Sequence, residues 1–472
     1  MNLIRNPNIN SNRLFRADIL LEASAVYEGP GAPPRIAKFK AFDLNTVIVR
    51  RLIPRNILLD QPLDQTCLLY TYTNDIENKS LVVYLPHISS PSESPFYHPA
   101  VRGIAFLHTF GPQHNDGRIE IHYSFFASES QSPSLLRIAG HLLNTVHKHG
   151  QGLAAGYVKR VHHDTIIPQV TVQNTYARLK AKYAKRLISS WAEVTDPTKH
   201  VFEDLGIAAF LIELWAELYP CQIKFPGFVD IGCGNGLLVH ILTMEGYLGW
   251  GFDARKRKSW ETYTLKARAN LKELVLMPSV IQSNSYSGTE ILMIYNQDTQ
   301  RTKSGTNRGG LPENDQDNAR SHPNNQPSSK PEIHDGIFPK GTFIISNHAD
   351  ELTPWTPILA TVSESPFIMI PCCSHNLSGN RFRAPAPKTP TVSNSSYASL
   401  VSWVSKLVED CGWEVEKEML RIPSTRNTAL LGRRRNVDYS EIDLPNLIEK
   451  YGGSKGWEEN VMKLVKRGSR GH

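Results

Sequence analysis

A chain of 472 residues is longer than one hydrophobic core usually organises, so we expect two or three structural units. Hydrophobic residues make up 40% and charged residues 21% of the chain, which is typical of a globular protein and excludes a wholly disordered one. No stretch has the roughly 18 successive apolar residues that a membrane span needs. The polar N-terminus and the lack of any Cys-x-x-Cys pair further predict a soluble, intracellular protein with reduced thiols.

Residues 1–150 are predicted to form an N-terminal α+β region, with RNA binding as a candidate role. Short apolar runs rich in β-branched and aromatic residues are separated there by Pro, Gly, Asn and Asp, as strands are. These runs lie at 51–60, 67–72, 80–88, 103–110 and 118–126. Helical spacing over 135–149 predicts a helix that ends at Gly150.

Residues 151–220 are predicted to be a basic, helical connector that packs on the following domain. One helix is expected over about 175–191, where Lys and Arg recur. A second is expected over 201–218, and its apolar composition predicts that it is largely buried and ends before Pro220.

From residue 221 to 436 strands and helices alternate, which predicts a doubly wound, mainly parallel α/β sheet. Beyond the first strand pair, strands are expected at 341–346, 367–370 and 429–431. The polar segment 297–335 has almost no large apolar side chains, so we predict a disordered insertion there. Residues 437–472 are expected to form a basic helical tail.

The most informative stretch is Phe228–Gly236, FVDIGCGNG, where a strand ends and a helix begins. Gly232, Gly234 and Gly236 allow a tight turn and a close approach of a ligand to the backbone. The dinucleotide fingerprint would need glycine at position 237, which is leucine. At the end of the next strand, Asp253 could accept both ribose hydroxyls of a nucleoside cofactor. The alternative is a glycine turn that binds nothing.

A second polar cluster follows the strand at 341–346. Asn347, His348, Asp350 and Glu351 would lie at the carboxyl end of that strand, where α/β sheets bind ligands. Thr353 and Pro354 would then cap and begin the next helix. The alternative is that the two carboxylates only favour the N-terminus of that helix.

Residues 371–379, PCCSHNLSG, follow the next strand. Cys372, Cys373 and His375 suggest zinc, but adjacent cysteines lack the usual ligand spacing and no fourth ligand is evident. We therefore predict no metal, and a polar loop beside the substrate pocket.

Taken together, the stretches 199–215, 228–260, 345–360, 370–382 and 421–435 resemble the fungal tRNA (uracil-2′-O-)-methyltransferase family. ARKRKSW and NHADELTPW are more specific than the glycine motif, which recurs in many methyltransferases. The resemblance implies a class I, Rossmann-like methyltransferase fold and S-adenosyl-L-methionine as the cofactor. It also implies methylation of a uridine ribose 2′-hydroxyl in serine tRNA, and a cytoplasmic location with no membrane and no obligate protein partner.

We assign candidate roles to individual residues on these grounds. The cofactor-binding candidates are Asp230, Gly232, Gly234, Gly236, Asp253 and Asn347, and the catalytic candidates are Asp350, then His348, then Glu351. The tRNA-binding candidates are the basic residues Arg178, Lys182, Lys185, Arg186, Arg255, Lys256, Arg257 and Lys258, together with His375. Two alternatives stay open, namely a methyltransferase of proteins or small molecules and an inert tRNA-binding protein that keeps the fold.

Overall fold

A computed structural model describes residues 1–24, 34–56, 59–74, 76–111, 113, 116–127, 132–157, 163–220, 225–282, 331–387 and 395–466. The chain divides into two compact units, Met1–Arg160 and Val161–His472. The insertion predicted at 297–335 lies outside the described residues as far as position 330. No helix in the described ranges is long and apolar enough to cross a membrane.

The first unit is an antiparallel meander followed by a long helix. Its strands are β1 (Leu14–Ala23), β2 (Asp43–Pro54), β3 (Leu63–Thr73), β4 (Asn78–Pro86), β5 (Gly103–Gly111) and β6 (Asp116–Ser124), and each pairs with the next along the chain. The short helix α1 (Asn2–Arg5) precedes them, and α2 (Pro133–Ala154) follows. The predicted end of this helix at Gly150 is wrong, because the hydrogen-bonded turns continue through Gly150 to Ala154.

The second unit is built on an eight-stranded sheet in the order β10-β9-β8-β7-β11-β12-β14-β13. Its strands are β7 (Phe228–Ile231), β8 (Gly249–Asp253), β9 (Leu271–Leu276), β10 (Glu332–His334), β11 (Phe343–Asn347), β12 (Phe367–Ile370), β13 (Trp413–Met419) and β14 (Thr428–Arg435). The pairs from β10 to β12 are parallel, and β14 is antiparallel to both of its neighbours. The insertion was predicted to reach residue 335, but Glu332–His334 pair with β9 and are ordered.

Helices cover both faces of this sheet. They are α3 (Gln169–Ser189), α4 (Pro197–Leu218), α5 (Leu237–Met244), α6 (Leu265–Ala269), α7 (Ser279–Gln282), α8 (Thr356–Val362), α9 (Ser396–Asp410), α10 (Leu444–Lys450) and α11 (Trp457–Lys466). Residues of α3 to α6 pack into the core on one face, and residues of α8 to α11 pack into the core on the other. The two last helices therefore belong to the core, since Trp457 is 1% exposed and its indole N–H donates to the backbone oxygen of Leu276.

The start of α8 differs from the prediction. Residues Asp350–Leu352 form a short 3-10 turn, and the helix begins at Thr356 with Trp355 as its N-cap. Thr353 is not the N-cap, and its buried hydroxyl oxygen has no hydrogen-bond partner among the described residues. The polar cluster before α8 is thus a turn at the sheet edge instead of the first turn of the helix.

Candidate active site at the carboxyl edge of the parallel sheet

The glycine turn after β7 depends on backbone conformations that L-residues rarely adopt. Gly232, Gly234 and Gly236 have φ angles of +69°, +52° and +72°. A Cβ at Gly236 would lie 2.8 Å from Leu271, whereas a Cβ at Gly234 would meet nothing within 4 Å. Protein atoms thus fill the space beside Gly236, whereas the space in front of Gly234 is open.

Neighbouring side chains form hydrogen bonds with both the N–H and the carbonyl groups of this turn. The Gly234 N–H donates to Asp253 Oδ2 at 3.0 Å, and the indole N–H of Trp260 donates to the Gly234 oxygen at 2.9 Å. Ser259 and Tyr263 hydroxyls donate to the oxygen of Asn235 at 2.8 and 3.0 Å. The 259–263 segment that follows Asp253 therefore fixes the turn before any ligand arrives.

Asp230, at the end of β7, is a buried acid that forms no ion pair with any described residue. It is 1% exposed, and its Oδ1 has no hydrogen-bond partner among the described residues. Burial, together with the charges of Asp204 and Asp253, raises the pKa of Asp230 well above its usual value. A buried acid with a free oxygen at the sheet edge is a typical ligand-binding group.

Asp204 on α4 is a second buried acid in this region, which the sequence analysis did not single out. Burial and then the charge of Glu203 raise the pKa of Asp204 to about 8. Asn347 Nδ2 donates to Asp204 Oδ1 at 3.2 Å, which brings α4 to the end of β11. The signal in the sequence was the adjacent Glu-Asp pair within a helix otherwise apolar enough to be buried.

His348 and Asp350 have positive φ angles of +52° and +43°, although neither is glycine. Such strained positions persist only where the surrounding structure holds them, and they cluster at functional sites. The Nε2 of His348 lies 2.9 Å from Glu203 Oε1, and its buried Nδ1 has no partner among the described residues. Glu203 therefore fixes the ring of His348 and leaves the second nitrogen available for chemistry.

The loop after β12 brings thiols to the same place. The Cys372 thiol donates to Asp350 Oδ1 at 3.0 Å, and burial raises the pKa of Cys372. Ligand atoms of Asp350, Cys372 and Cys373 lie within 4.8 Å of one another, a grouping that could hold a metal ion. Three ligands do not complete the tetrahedral set of a structural zinc site, so the absence of a metal stays a prediction.

Two cavities meet at this edge of the sheet. One of about 650 Å³ is lined by Asp253, Glu351 and His375 among others, and one of about 420 Å³ by Asp204, Asp230 and Asn347. Both are also lined by Gly232, Gly234, Arg257, His348 and Asp350. The structure thus brings the cofactor and catalytic candidates together at one edge of the sheet. The exception is Gly236, which lines neither cavity and packs close to Leu271.

Two of the candidates lining the larger cavity are titratable groups with shifted pKa values. Burial raises the pKa of Glu351 to about 7, so this carboxyl is partly protonated near neutral pH. His375 is 7% exposed, and burial lowers its pKa. Its Nδ1 has no hydrogen-bond partner among the described residues, so it is available to a bound molecule.

The basic candidates after β8 separate into two pairs. Arg255 and Arg257 line the larger cavity, and Arg257 also lines the smaller one. Lys256 forms an ion pair with Glu261, and Lys258 is exposed. Only the two arginines therefore face the cleft directly.

The basic face of α3 lies elsewhere on the second unit. Arg178 and Lys182 pair with Glu245 at 2.5 and 2.9 Å, just after the end of α5. The glycine turn is at the other end of that helix, about 12 Å away at 1.5 Å per residue. Lys185 and Arg186 are exposed, and Arg186 lies close enough to His240 to lower the pKa of that histidine, secondary to burial.

The buried acid Asp204 generates a prediction about stability and pH. Its folded pKa of about 8 lies above its usual 3.8, so its contribution to stability is full below about pH 4 and is lost as the pH rises to 8. Asp204→Asn keeps the acceptor for Asn347 and cannot ionise. Between pH 5 and pH 8, we expect the free energy of unfolding of the wild type to fall by at least about 1 kcal/mol more than that of the variant.

The measurement is urea unfolding of both proteins at the two pH values, with the exposed Glu449→Gln as the control for a lost surface charge. Equal losses in wild type and Asp204→Asn would show that Asp204 ionises normally.

Comparison with known proteins agrees with this geometry. Residues 1–160 match a family model described as a TRM44-like, N-terminal bet v1-like domain, and residues 166–278 match one described as a predicted AdoMet-dependent methyltransferase. A tRNA (uracil-O(2)-)-methyltransferase of Neurospora crassa is 52% identical over 99% of this chain and 89% of its own length. Proteins of the same name from Schizosaccharomyces pombe and Saccharomyces cerevisiae are 40% and 37% identical, over 100% of this chain and 89% and 90% of their own lengths.

Identity at this level over nearly the full length confirms the resemblance expected from the sequence motifs. The family implies S-adenosyl-L-methionine as the cofactor. The chain therefore belongs to the tRNA (uracil-O(2)-)-methyltransferase family and is an S-adenosylmethionine-dependent methyltransferase.

Proposed function

We propose that this chain methylates the ribose 2′-hydroxyl of a uridine in serine tRNA, in the cytoplasm. The observation that carries the proposal is the single sheet edge where the glycine turn, the buried Asp230 and the His348–Asp350 turn share two cavities. The relatives' names supply the substrate class, and the resemblance of the motifs supplies serine tRNA. The strand order and the antiparallel β14 support a class I, Rossmann-like methyltransferase domain that extends over the whole second unit.

The residues at this edge fit S-adenosylmethionine. Gly234 leaves open space, Asp253 keeps acceptor capacity for ribose hydroxyls, and the hydrophobic Leu274 and Leu276 line the same cavity. Asp230 Oδ1 and Asn347 Oδ1 are buried acceptors without partners among the described residues, and both suit the donors of a methionine ammonium group. Bound there, the cofactor would supply an electrophilic methyl group.

The chain's own residues then position the ribose hydroxyl and take its proton. We assign proton acceptance to His348 Nδ1, because Glu203 occupies Nε2 and stabilises the ring when it becomes charged. Asp350 lies two residues away, lines both cavities and would orient the hydroxyl. This assignment moves His348 ahead of Asp350, which the sequence analysis ranked first, and leaves Glu351 third.

Positioning of the tRNA is assigned to the arginines that face the cleft. Arg255 and Arg257 could each contact a phosphate at the cleft mouth, with His375 on the loop opposite. On α3, Arg186 and Lys185 are the better candidates, because Arg178 and Lys182 already neutralise Glu245 at the far end of α5.

Gly234→Ala tests the cofactor assignment. Its Cβ would enter open space, so we expect a folded protein whose affinity for S-adenosylmethionine falls at least about tenfold, measured by calorimetry. Gly246→Ala is the matched control, because Gly246 also has a positive φ and open space at its Cβ but follows the far end of α5. Equal loss of affinity in the two variants would show that backbone strain, and not the cavity, explains the effect.

The reaction itself is tested by transfer of a labelled methyl group. Purified enzyme should label tRNA from cells that lack the protein, and ribose-methylation mapping should place the label on one uridine of serine tRNA. Label on another tRNA would overturn the serine assignment. Label on protein, or on no substrate despite cofactor binding, would overturn the tRNA proposal in favour of the two alternatives left open above.

His348→Ala and Glu203→Gln test the proton acceptor. We expect His348→Ala to lower kcat by about 10²–10⁴-fold with cofactor affinity unchanged, and added imidazole to restore part of the rate. Glu203→Gln should lower kcat less, because the amide oxygen still accepts from His348 Nε2 but carries no charge to balance the charged ring. If imidazole rescues Asp350→Asn instead, or His348→Ala keeps the wild-type kcat, His348 is not the acceptor.

A further inference from the structure

The first unit contains a cavity of about 490 Å³ of its own, within the range of roughly 300–1,000 Å³ that small-molecule sites occupy. Its walls come from the β1–β6 sheet, the 96–99 loop and the first turns of α2. The lining includes two arginines and two histidines, and none of the described lining residues is Asp or Glu. The cavity therefore has a positive lining without a matching negative charge.

Arg50 on β2 is the group that makes this cavity unusual. It is 6% exposed, and its Nε and Nη2 donate to Gln65 Oε1 at 3.0 and 2.7 Å. Its Nη1 donates to the backbone oxygens of Leu3, at 3.3 Å, and Ile4. Every one of these acceptors is neutral, and Arg50 forms no ion pair with a described carboxylate. A buried cation without an anion is strongly unfavourable, so a ligand that supplies the anion would relieve this cost.

The partners of Gln65 do not supply that anion either. Gln65 Nε2 lies 3.0 Å from His98 Nε2, and His98 Nδ1 lies 2.8 Å from the oxygen of Pro99. Burial lowers the pKa of His98 to about 4, so the ring is neutral at physiological pH. The network assigns Nδ1 as the donor and Nε2 as the acceptor. It holds Arg50 in place and leaves its charge uncompensated.

Aromatic rings complete the walls beside the two arginines. Tyr84, Phe96 and Phe106 line the cavity, and the guanidinium carbon of Arg50 lies 5.1 Å from the ring centre of Tyr84. At the rim, Arg137 on α2 is exposed and forms no ion pair with the described residues. Flat apolar rings beside cations are the combination that binds a nucleobase together with its phosphate.

We propose that this cavity binds a nucleoside monophosphate group. Arg50 and Arg137 would bind the phosphate, and the aromatic rings would contact the base. The group belongs either to a free nucleotide or to an unpaired nucleotide of the bound tRNA. The second source rests on the function proposed above, whereas the site itself does not.

The test is calorimetric titration of the full-length protein with uridine 5′-monophosphate and with uridine. Arg137→Gln, on an exposed helix position, should weaken binding of the monophosphate at least about tenfold, as expected for one lost charge-assisted contact. Uridine alone should bind more weakly and be unaffected by the substitution. Arg50→Gln should abolish the binding if the variant folds, and Arg137→Gln decides the question if it does not.

Arg118→Gln is the matched control, because Arg118 is a 72%-exposed arginine of the same unit, pairs with Glu120 and is absent from the cavity lining. No heat with the monophosphate, or equal affinity in Arg137→Gln and wild type, would overturn the proposal. Tighter binding of oleate than of the monophosphate, lost in Arg137→Gln, would also overturn it, because the cavity would then be a lipid site.

Titration with tRNA distinguishes the two sources. If the nucleotide belongs to tRNA, Arg137→Gln should weaken tRNA binding and reduce the slope of log affinity against log salt by about 0.7–0.9. Unchanged tRNA binding with weakened monophosphate binding assigns the site to a free nucleotide. A wild type that binds the monophosphate but methylates no tRNA would overturn the proposed function and leave this site standing.

Discussion

The hydrogen bond between the Gly234 N–H and the Asp253 carboxylate is the constraint on which the active-site edge depends. It joins the turn after β7 to the end of β8, while Trp260 and Tyr263 hold the carbonyls of the same turn. Because both kinds of backbone group are already bonded to protein, the turn keeps its left-handed conformations without a ligand. The two cavities beside the turn therefore share it as a rigid wall. Residues of α4 and of the His348–Asp350 turn form further parts of the cavity walls.

The acids at this edge serve two different chemical purposes. Burial raises the pKa of both Asp204 and Asp230, and the charge of Asp204 further opposes ionisation of Asp230, so both side chains favour neutral, hydrogen-bonding carboxyls. Glu203 lies beside His348 and is available as its charged partner. Adjacent residues of one helix thus differ in protonation: burial and the charge of Glu203 raise the pKa of Asp204, whereas at Glu203 burial is outweighed by the contact with His348, which lowers the pKa.

The cavities of the two units differ in the charges of the residues that line them. In the second unit the cavities contain acids as well as arginines, and ion pairs or hydrogen bonds compensate much of that charge. In the first unit the described lining residues carry only positive charge, and its buried arginine is bonded to neutral oxygens. If both proposals hold, RNA or its building blocks would contact the chain through two chemically distinct surfaces.

The sequence alone determined the elements whose chemistry is local. The strand–glycine–helix pattern at 228–236 and Asp253 predicted a turn with open space, because three glycines at alternate positions permit conformations that other residues rarely adopt. The strand predicted at 341–346, observed at 343–347, and the polar residues near its end were predicted for the same reason, since apolar runs and the residues that end them are adjacent in the chain. The family resemblance, confirmed by close relatives, also depended only on such contiguous motifs.

Only the tertiary structure decided which distant residues meet. The Glu203–His348 and Asp204–Asn347 contacts join residues more than 140 positions apart, and no periodicity indicates such a pairing. The start of β2 was missed because the charged Arg50 and Arg51 interrupt its apolar pattern, although Arg50 points to the interior. The basic face of α3 was correctly read as charged, but its distance from the glycine turn follows from the ion pairs of Arg178 and Lys182 with Glu245, just after the far end of α5. Spacing along the chain predicts which side chains share an element, whereas packing decides what those side chains face.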